Sequence, residues 1–213
     1  MESCNIAFCN VSFGEKYVAT QKRLIESILL IYPDATLFFW TDELPPNSKP
    51  FQESLYGFKV HAIQHARDKG FTKVVWIDTC AILKSKVEPL FEAGFIAVKD
   101  ENKLYKHWRD DVGPTAKEFN LVGGSLYCFD FDKPEQIHIF NKWKDLEKKG
   151  LFGTQEFIMN QKNDGIEKCG WRMDESCMAF VLYDMIHTPH DRTLYDTIIE
   201  KKHFLNEGEK WYN

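Results

Sequence analysis

Short apolar runs alternate with amphipathic helical patterns along the first third of the chain. Residues 5–11 are almost entirely apolar and predict a buried strand. Apolar side chains recur at helical spacing over residues 16–32, which predicts a helix that ends before Pro33. Four consecutive large apolar side chains predict a second strand over residues 36–41, and a second helix is predicted over residues 56–69. The stripe by which the first helix would pack on the sheet consists of Val18, Ile25, Leu29 and Tyr32.

The strongest strand signal is the run Lys-Val-Val-Trp-Ile at residues 73–77. A continuous apolar strand is typical of the middle of a parallel sheet, because helices cover both of its faces. Further strands are predicted over residues 95–98 and 125–131, and further helices over residues 134–148 and 174–183. This alternation predicts an α/β fold, a Rossmann-like sandwich in which helices flank a mixed, mostly parallel central sheet. Without a linker, repeat or low-complexity segment, the chain is expected to form one domain.

The net charge and the aromatic content of the chain limit the kinds of ligand that it is expected to bind. The chain has 213 residues and a formal net charge of −5. Nucleic acid is not expected as a partner, because nucleic-acid binders usually carry a basic stripe. An acidic chain binds a polyphosphate only where a metal ion or backbone amides offset the charge. The 17 Phe, 8 Tyr and 6 Trp either build the core or line a ligand surface. The rings predicted to lie in the core are Phe38, Phe39, Trp40, Phe129 and Phe131.

The N-terminus and the cysteines predict a cytoplasmic protein. The first residues lack the basic start and the long apolar stretch of a signal peptide. The apolar runs are too short to span a bilayer, which needs about 20 residues. The six cysteines include no C-x-x-C pair, so free thiols in a reducing compartment are expected rather than disulfides or a zinc site.

Asp78 directly follows the strongest strand. It is therefore expected at the carboxyl edge of the sheet, where open α/β sheets bind their ligands. A carboxylate anchored by a rigid strand suits Mg²⁺ or Mn²⁺, which prefer a few carboxylates together with phosphate oxygens. The alternative is a structural aspartate that bonds nearby backbone amides.

Residues 74–78, Val-Val-Trp-Ile-Asp, resemble the V-L-W-L-D-x-D strand of nucleotide-sugar-dependent glycosyltransferases of the GT-A fold. The resemblance covers most of the chain and implies a UDP-sugar donor, a glycan acceptor and Mn²⁺ or Mg²⁺ as cofactor. Cys80 stands where the family has its second aspartate, so a cation at Asp78 would need the diphosphate, a histidine or water to complete its shell. The pattern is also similar to the N-terminal glycosyltransferase domain of a large multidomain chlorovirus protein, which implies a viral chain that is part of a longer polypeptide.

The resemblance implies roles for residues along most of the chain. The donor would be bound by Asn10, Val11, Ser12, Lys59, Arg67, Asp78, Gly123 and Gly124. The metal ligands would be Asp78, His187 and His190. The carboxylates near the reacting sugar would be Asp174 and Glu175. The rings best placed to stack on an acceptor sugar, because their sequence is polar and loop-like, are Trp108 and Trp171.

Several of these residues also have a plain structural interpretation. Asp174 and Glu175 suit the first turn of a helix, where negative charge is favourable. Gly123 and the glycine after it could form a turn that enters a strand. His187 and His190 could face solvent, because the proline between them predicts a loop.

The leading hypothesis is metal-assisted transfer of a hexose or 6-deoxyhexose from a UDP-sugar to a glycan hydroxyl. If the configuration inverts, Asp174 or Glu175 is the general base. If it is retained, which the histidines and the lone acidic pair favour, the same carboxylates position the acceptor or stabilise positive charge. Two alternatives stay open. One is a binding module for nucleotide sugars or glycans that has lost catalysis, which Cys80 favours. The other is a sugar-phosphate nucleotidylyltransferase. Such an enzyme is expected to have a glycine-rich phosphate loop with an arginine after the first strand, and this loop contains only one glycine, Gly14.

Overall fold

A computed structural model describes residues 5–105, 119–163, 173–185, 187–190 and 192–201. The strands are β1 (Ile6–Ser12), β2 (Thr36–Thr41), β3 (Lys73–Ile77), β4 (Ala81–Leu83), β5 (Val98–Tyr105), β6 (Phe119–Gly123), β7 (Leu126–Asp130) and β8 (Ile199–Lys201). The helices are α1 (Glu15–Ile31), α2 (Phe58–Asp68), α3 (Glu88–Glu92), α4 (Pro134–Lys148), α5 (Gln155–Asn163), α6 (Met173–Asp184) and α7 (Arg192–Ile198). Within these ranges, no helix has the length and apolar character needed to cross a membrane.

The central sheet has the strand order β2-β1-β3-β7. β1 runs parallel to both of its neighbours, β2 and β3, whereas β7 runs antiparallel to β3. Two small antiparallel pairs, β4 with β8 and β5 with β6, lie outside this sheet. The predicted α/β fold with a mostly parallel mixed sheet is therefore confirmed.

Helices cover both faces of the sheet. On one face, Val74 and Trp76 of β3 pack in a core with α2, α4 and α6. On the other face, Val75 and Ile77 pack in a core with α1, α3 and α7. Burial on both faces explains why β3 is apolar along its whole length.

The central elements match the sequence predictions more closely than the peripheral ones. β2, β3 and α4 have the predicted bounds. The predicted strand over residues 95–98 is wrong, because β5 begins only at Val98. Phe95 and Ile96 are apolar because they are buried beside the sheet, where the carbonyl of Ile96 accepts a hydrogen bond from the N–H of Cys128 at 3.0 Å. The elements that the pattern did not predict are β4, α3, β6, α5, α7 and β8.

The buried face of α1 differs from the predicted stripe. Leu29 is exposed, whereas the amide of Gln21 is buried and fully used. Gln21 Nε2 donates to Asn10 Oδ1 at 2.9 Å and to the carbonyl of Trp40 at 3.0 Å. Gln21 Oε1 accepts from the hydroxyl of Thr41 at 2.7 Å. A polar side chain is tolerated there because each of its hydrogen-bonding groups has a partner. The buried residues of α1 are Thr20, Gln21, Leu24 and Ile28.

The rings predicted to lie in the core are buried at β7 and only partly buried on β2. Phe129 and Phe131, at β7, are buried. Phe38, Phe39 and Trp40 are only half-buried, because β2 is an edge strand.

The cysteines of the described residues are free thiols. Cys9, Cys128 and Cys177 are buried, and burial raises the pKa of Cys9 and Cys128 well above the usual range of a thiol. These two thiols stay protonated and behave as small core side chains. Cys4 and Cys169 lie outside the described residues.

A buried carboxylate fastens the loop before α2 to α4. Glu147 Oε1 accepts a hydrogen bond from Ser54 Oγ at 2.9 Å and lies 3.4 Å from Lys49 Nζ. Glu147 Oε2 lies 3.4 Å from His61 Nε2. Burial raises the pKa of Glu147, but the neighbouring imidazole, hydroxyl and ammonium outweigh burial and the net shift is downward. Gly57 is required beside this contact, since a Cβ there would overlap Ser54 Oγ.

We expect Glu147→Gln to lower the free energy of unfolding at pH 7 by about 1–3 kcal/mol, because buried charge-assisted hydrogen bonds are lost. Because the pKa of Glu147 is lower in the folded state, its carboxylate stabilises the folded protein at pH values above the ordinary glutamate pKa of about 4.3. This stabilisation is lost as the pH falls through the folded-state pKa. The difference between wild type and variant, measured by urea denaturation, should therefore be constant above about pH 5 and shrink below about 4.3. The exposed neighbour provides the control, since Glu53→Gln should change little at either pH. A pH-independent difference for Glu147→Gln would contradict the assignment.

Candidate active site

The connections of the central sheet reverse direction between β1 and β3, because β2 lies on one side of β1 and β3 lies on the other. Such a switch point leaves a crevice outside the carboxyl ends of the two strands. Ser12 ends β1 at this crevice, and Asp78 directly follows β3. Beneath them Asn10 Nδ2 donates to the carbonyl of Ile77 at 2.6 Å, which ties the two strands together.

A buried lysine lies at the centre of the site. Lys59, in the first turn of α2, is only 3% exposed. Its Nζ donates to the carbonyl of Gly124 at 2.8 Å and to Asp174 Oδ2 at 2.9 Å, and it lies 3.5 Å from Asp78 Oδ1. The ammonium also lies 5.1–5.6 Å from three ring centroids, close enough for cation–π attraction. These rings belong to Tyr56, Trp76 and Tyr127.

The ionisation of Lys59 is fixed by its carboxylate neighbours. Burial lowers the pKa of Lys59, but the charges of Asp174 and Asp78 outweigh burial, and the net shift is upward. Burial raises the pKa of Asp174, and the Lys59 ammonium opposes that rise. Asp174 also accepts a hydrogen bond from the hydroxyl of Tyr127 at 2.9 Å. The net shift in the pKa of Asp174 is upward, but the ammonium at 2.9 Å favours the carboxylate, so the two side chains form a buried ion pair.

Asp78 is the exposed member of this cluster. Its Oδ1 accepts a hydrogen bond from Trp76 Nε1 at 2.9 Å, and its backbone N–H donates to the carbonyl of Ser125 at 2.9 Å. The side chain is 33% exposed, and its Oδ2 has no hydrogen-bond partner among the described residues. One oxygen of Asp78 is thus held by the protein while the other remains available to a ligand.

The two acidic residues at the start of α6 have different environments. Asp174 is 2% exposed, and its carboxylate is occupied by Lys59 and Tyr127. Glu175 is half-buried, and its Oε1 accepts a hydrogen bond from the N–H of Gly124 at 3.0 Å. A Cβ at Gly124 would lie 2.8 Å from Asp174 Oδ2 and 3.1 Å from Lys59 Nζ. Only glycine lets the backbone approach the ion pair this closely.

Asp78 fits a hard divalent cation as a single carboxylate ligand. The described residues contain no group of three or more His, Cys, Asp or Glu side chains that could hold a metal ion by themselves. Burial and the charge of Asp78 raise the pKa of Cys80 to about 11, and a thiol is a softer ligand than the oxygens that Mg²⁺ and Mn²⁺ prefer. Mg²⁺ keeps several waters and is often bound by one or two carboxylates together with substrate phosphates, which matches the available oxygen of Asp78.

The residues at the end of β1 are mostly part of the fold. Asn10 and Val11 are buried, and the Asn10 amide is used by Ile77 and Gln21. Ser12 Oγ is also buried, and it has no hydrogen-bond partner among the described residues. Asp42 Oδ1 accepts from the N–H of Gly14 at 2.7 Å and so fixes the loop that follows β1.

Two predicted site residues, Arg67 and His187, are not brought to this cluster. Arg67 lies near the other end of α2, with its guanidinium 4.7 Å from the ring centroid of Phe131, beside the start of β3. His187 Nδ1 lies 3.1 Å from Glu135 Oε1 in the first turn of α4, also at that edge. His190 pairs through its backbone with Val98, and its ring centroid lies 5.4 Å from that of Phe95. Trp108 and Trp171 lie outside the described residues. The site brings together Ser12, Lys59, Asp78, Gly123, Gly124, Asp174 and Glu175.

The sequence pattern predicted neither the three rings around Lys59, those of Tyr56, Trp76 and Tyr127, nor the burial of Lys59 itself. A signal existed for the lysine, because it lies three and four residues before Ala62 and Ile63 on the buried face of α2. A charged residue on an apolar stripe predicts a buried ion pair. Tyr56 and Tyr127 carried no comparable signal, since both lie in ring-rich sequence that predicts core.

No family model matches the chain, and no curated protein matches it. Solved structures similar to it include a glycosyltransferase involved in the glycosylation of the major capsid of PBCV-1, at 14% identity over 91% of this chain and 92% of that one, with a TM-score of 0.41. A complex of the galactosyltransferase LgtC with donor and acceptor sugar analogs is 11% identical over 92% of this chain and 86% of that one, with a TM-score of 0.42. The glycosyltransferase GlyE of Streptococcus pneumoniae TIGR4 is 13% identical over 87% of this chain and 46% of that one, with a TM-score of 0.44. These proteins are of the enzyme class that the motifs resemble, but similarity this low transfers neither a reaction nor a residue's role.

We expect Lys59→Met to destabilise the protein by about 3–5 kcal/mol, because it leaves Asp174 as a buried and uncompensated charge. Adding Asp174→Leu removes that charge, so the double variant should be more stable than Lys59→Met alone. Urea denaturation of the two single variants and the double variant measures this coupling.

Lys73→Met serves as the control at a half-exposed lysine, and it should change stability by no more than about 0.5 kcal/mol. Additive losses in the double variant would show that Lys59 and Asp174 are not an ion pair.

Proposed function

We propose that the chain is a glycosyltransferase that moves a hexose or 6-deoxyhexose from a UDP-sugar to a hydroxyl of a glycan, with Mn²⁺ or Mg²⁺ bound at Asp78. The observation that carries the proposal is the crevice between β1 and β3, where Asp78 presents one carboxylate oxygen beside the fixed Lys59–Asp174 pair. The resemblance of residues 74–78 to the metal strand of nucleotide-sugar-dependent glycosyltransferases supports the same assignment.

The charge of the site supports a cation-assisted reaction. Among the described residues, the carboxylates of Asp78, Asp174 and Glu175 all act on one ammonium, that of Lys59. A diphosphate adds further negative charge, so its binding here is unfavourable unless a cation accompanies it. When bound, a divalent cation would stabilise the negative charge that develops on the departing diphosphate.

Lys59 would act as a positioning residue. Its ammonium is buried and engaged with Gly124, Asp174 and Asp78, so it orients the groups that line the crevice. Its Nζ also lies 3.5 Å from Asp78 Oδ1, the same oxygen to which Trp76 Nε1 donates, and so helps to orient that carboxylate. Fixed dipoles and charges of this kind lower the reorganisation needed at the moment of reaction.

Glu175 is the acidic residue that would act on the reacting sugar. The transition state of glycosyl transfer has oxocarbenium character, which a nearby carboxylate stabilises. Asp174 is too buried to meet an acceptor, whereas Glu175 is half-buried and anchored to Gly124. Retention of configuration stays the prediction, and NMR of the product's anomeric centre decides between retention and inversion.

Asp78→Asn should weaken the binding of UDP in the presence of Mn²⁺ by at least about tenfold, which corresponds to about 1.4 kcal/mol. The amide keeps an oxygen for Trp76 Nε1 but lacks the charge that holds the cation. Calorimetric titration with UDP, with Mn²⁺ and with excess EDTA, measures the effect, and EDTA should weaken binding to the wild type similarly.

The matched control is Asp68→Asn at the far end of α2, which should bind UDP as the wild type does. If UDP binds equally well to Asp78→Asn and in EDTA, Asp78 does not hold a cation. If the wild type binds no UDP at all, the proposed donor is wrong.

Glu175→Gln should slow sugar transfer by at least about a hundredfold while leaving UDP affinity within about threefold. The amide can still accept the N–H of Gly124, so the variant removes charge and little else. Release of UDP from UDP-sugars, with and without a glycan acceptor, gives the rate. Asp184→Asn at the other end of α6 is the control and should keep the full rate. A wild type that binds UDP-sugars but releases no UDP would instead be a binding module.

A further inference from the structure

Tyr56 has an unusual backbone for an aromatic residue. Its φ is 59°, and it is the aromatic member of the four non-glycine residues with positive φ in the described ranges. Bulky side chains rarely adopt this left-handed region, because their Cβ crowds the backbone. Strain of this kind persists only where the surroundings enforce it, and it is concentrated at ligand sites.

The neighbours of Tyr56 hold this conformation from both sides. Leu55 is buried, and its N–H donates to the carbonyl of Gly153 at 3.1 Å. Ser54 is fixed by the buried carboxylate of Glu147, described above. The carbonyl of Tyr56 accepts a hydrogen bond from the N–H of Lys59 at 3.1 Å. The turn is thus fastened to α4, to the loop after it and to α2.

The ring of Tyr56 forms a wall of the crevice. Its centroid lies 5.5 Å from the ring of Phe51, 5.9 Å from that of Phe58 and 5.1 Å from Lys59 Nζ. The ring is half-buried, and its hydroxyl has no hydrogen-bond partner among the described residues. Apolar ring faces with a polar tip are typical of pockets that bind small polar ligands.

The hydroxyl keeps its proton. Burial raises the pKa of Tyr56 to about 12; the Lys59 ammonium opposes the rise, and the charges of Asp174 and Asp78 add to it. The group is therefore a neutral hydroxyl that can both donate and accept a hydrogen bond. A sugar hydroxyl has the same dual character.

We propose that Tyr56 is a specificity-determining residue whose hydroxyl hydrogen-bonds to a hydroxyl of the transferred sugar. This inference rests on the proposed function. Within that site the diphosphate lies with the cation at Asp78, whereas the Tyr56 ring packs 5.1 Å from Lys59 Nζ, which bonds to Asp174 at 2.9 Å and lies farther, at 3.5 Å, from Asp78. Asp174 and its neighbour Glu175 define the part of the crevice assigned to the reacting sugar. The strained turn keeps the hydroxyl there before the donor arrives, so little ordering is needed on binding.

The test is Tyr56→Phe, which keeps the ring and its packing and removes only the hydroxyl. Calorimetric titrations with Mn²⁺ compare UDP with UDP-glucose, UDP-galactose and UDP-rhamnose. We expect UDP to bind within twofold of wild type and the best-bound UDP-sugar to bind about fivefold more weakly, as for the loss of one neutral hydrogen bond. Tyr183→Phe, on the exposed surface of α6, should change neither affinity.

The outcomes separate this inference from the function on which it rests. If the wild type binds UDP-sugars but Tyr56→Phe binds all of them equally well, Tyr56 does not contact the sugar and the glycosyltransferase proposal is unaffected. An equal loss for UDP and UDP-sugars would place the hydroxyl at the nucleotide or diphosphate and would also overturn the inference. A wild type that binds neither ligand would overturn both proposals.

Discussion

The position of one ammonium group determines how the candidate site is assembled. Asp174 is buried, and among the described residues Lys59 is the cation that pairs with it. If Lys59 Nζ moved out of the interior, Asp174 would be left as a buried charge without a cationic partner. Removing one partner of such a pair is costly, although the complete pair contributes little net stability. The requirement to keep the pair intact therefore fixes where α2, α6 and the turn at Gly124 meet, more strictly than apolar packing would.

Other polar contacts extend this constraint across the carboxyl edge of the sheet. The hydroxyl of Tyr127 brings β7 to Asp174, and Trp143 Nε1 on α4 donates to the carbonyl of Asp174 at 3.2 Å. On the far side, Asn10 closes the gap between β1 and β3. Tyr127, Trp143 and Asn10 are each bonded to a group on another element, so the elements at the crevice depend on one another.

The sequence predicted the scaffold better than the site. Strand β3 and Asp78 were predictable because an apolar run followed by a carboxylate has one natural place in an α/β fold. The separation of Arg67 from Asp78 was harder to predict, since helical spacing alone does not tell which end of α2 lies at the carboxyl edge. His187 lies far along the chain, and only tertiary structure shows that it follows α6 to the opposite edge. The strained turn at Tyr56 depends on long-range contacts with Glu147 and Gly153, which no local pattern encodes.

The buried amide of Gln21 also determines the alignment of an edge strand. Leu37, Phe38, Phe39 and Trp40 are apolar on both faces of β2, so hydrophobic burial barely distinguishes the native pairing from one shifted along β1. Gln21 removes that ambiguity, because only the native pairing presents the carbonyl of Trp40 and the hydroxyl of Thr41 to its two ends. A shifted strand would break these two hydrogen bonds and leave the buried amide with Asn10 as its remaining partner, at a cost of about 1–3 kcal/mol. The glutamine thus carries information about strand pairing that the surrounding aromatic residues lack.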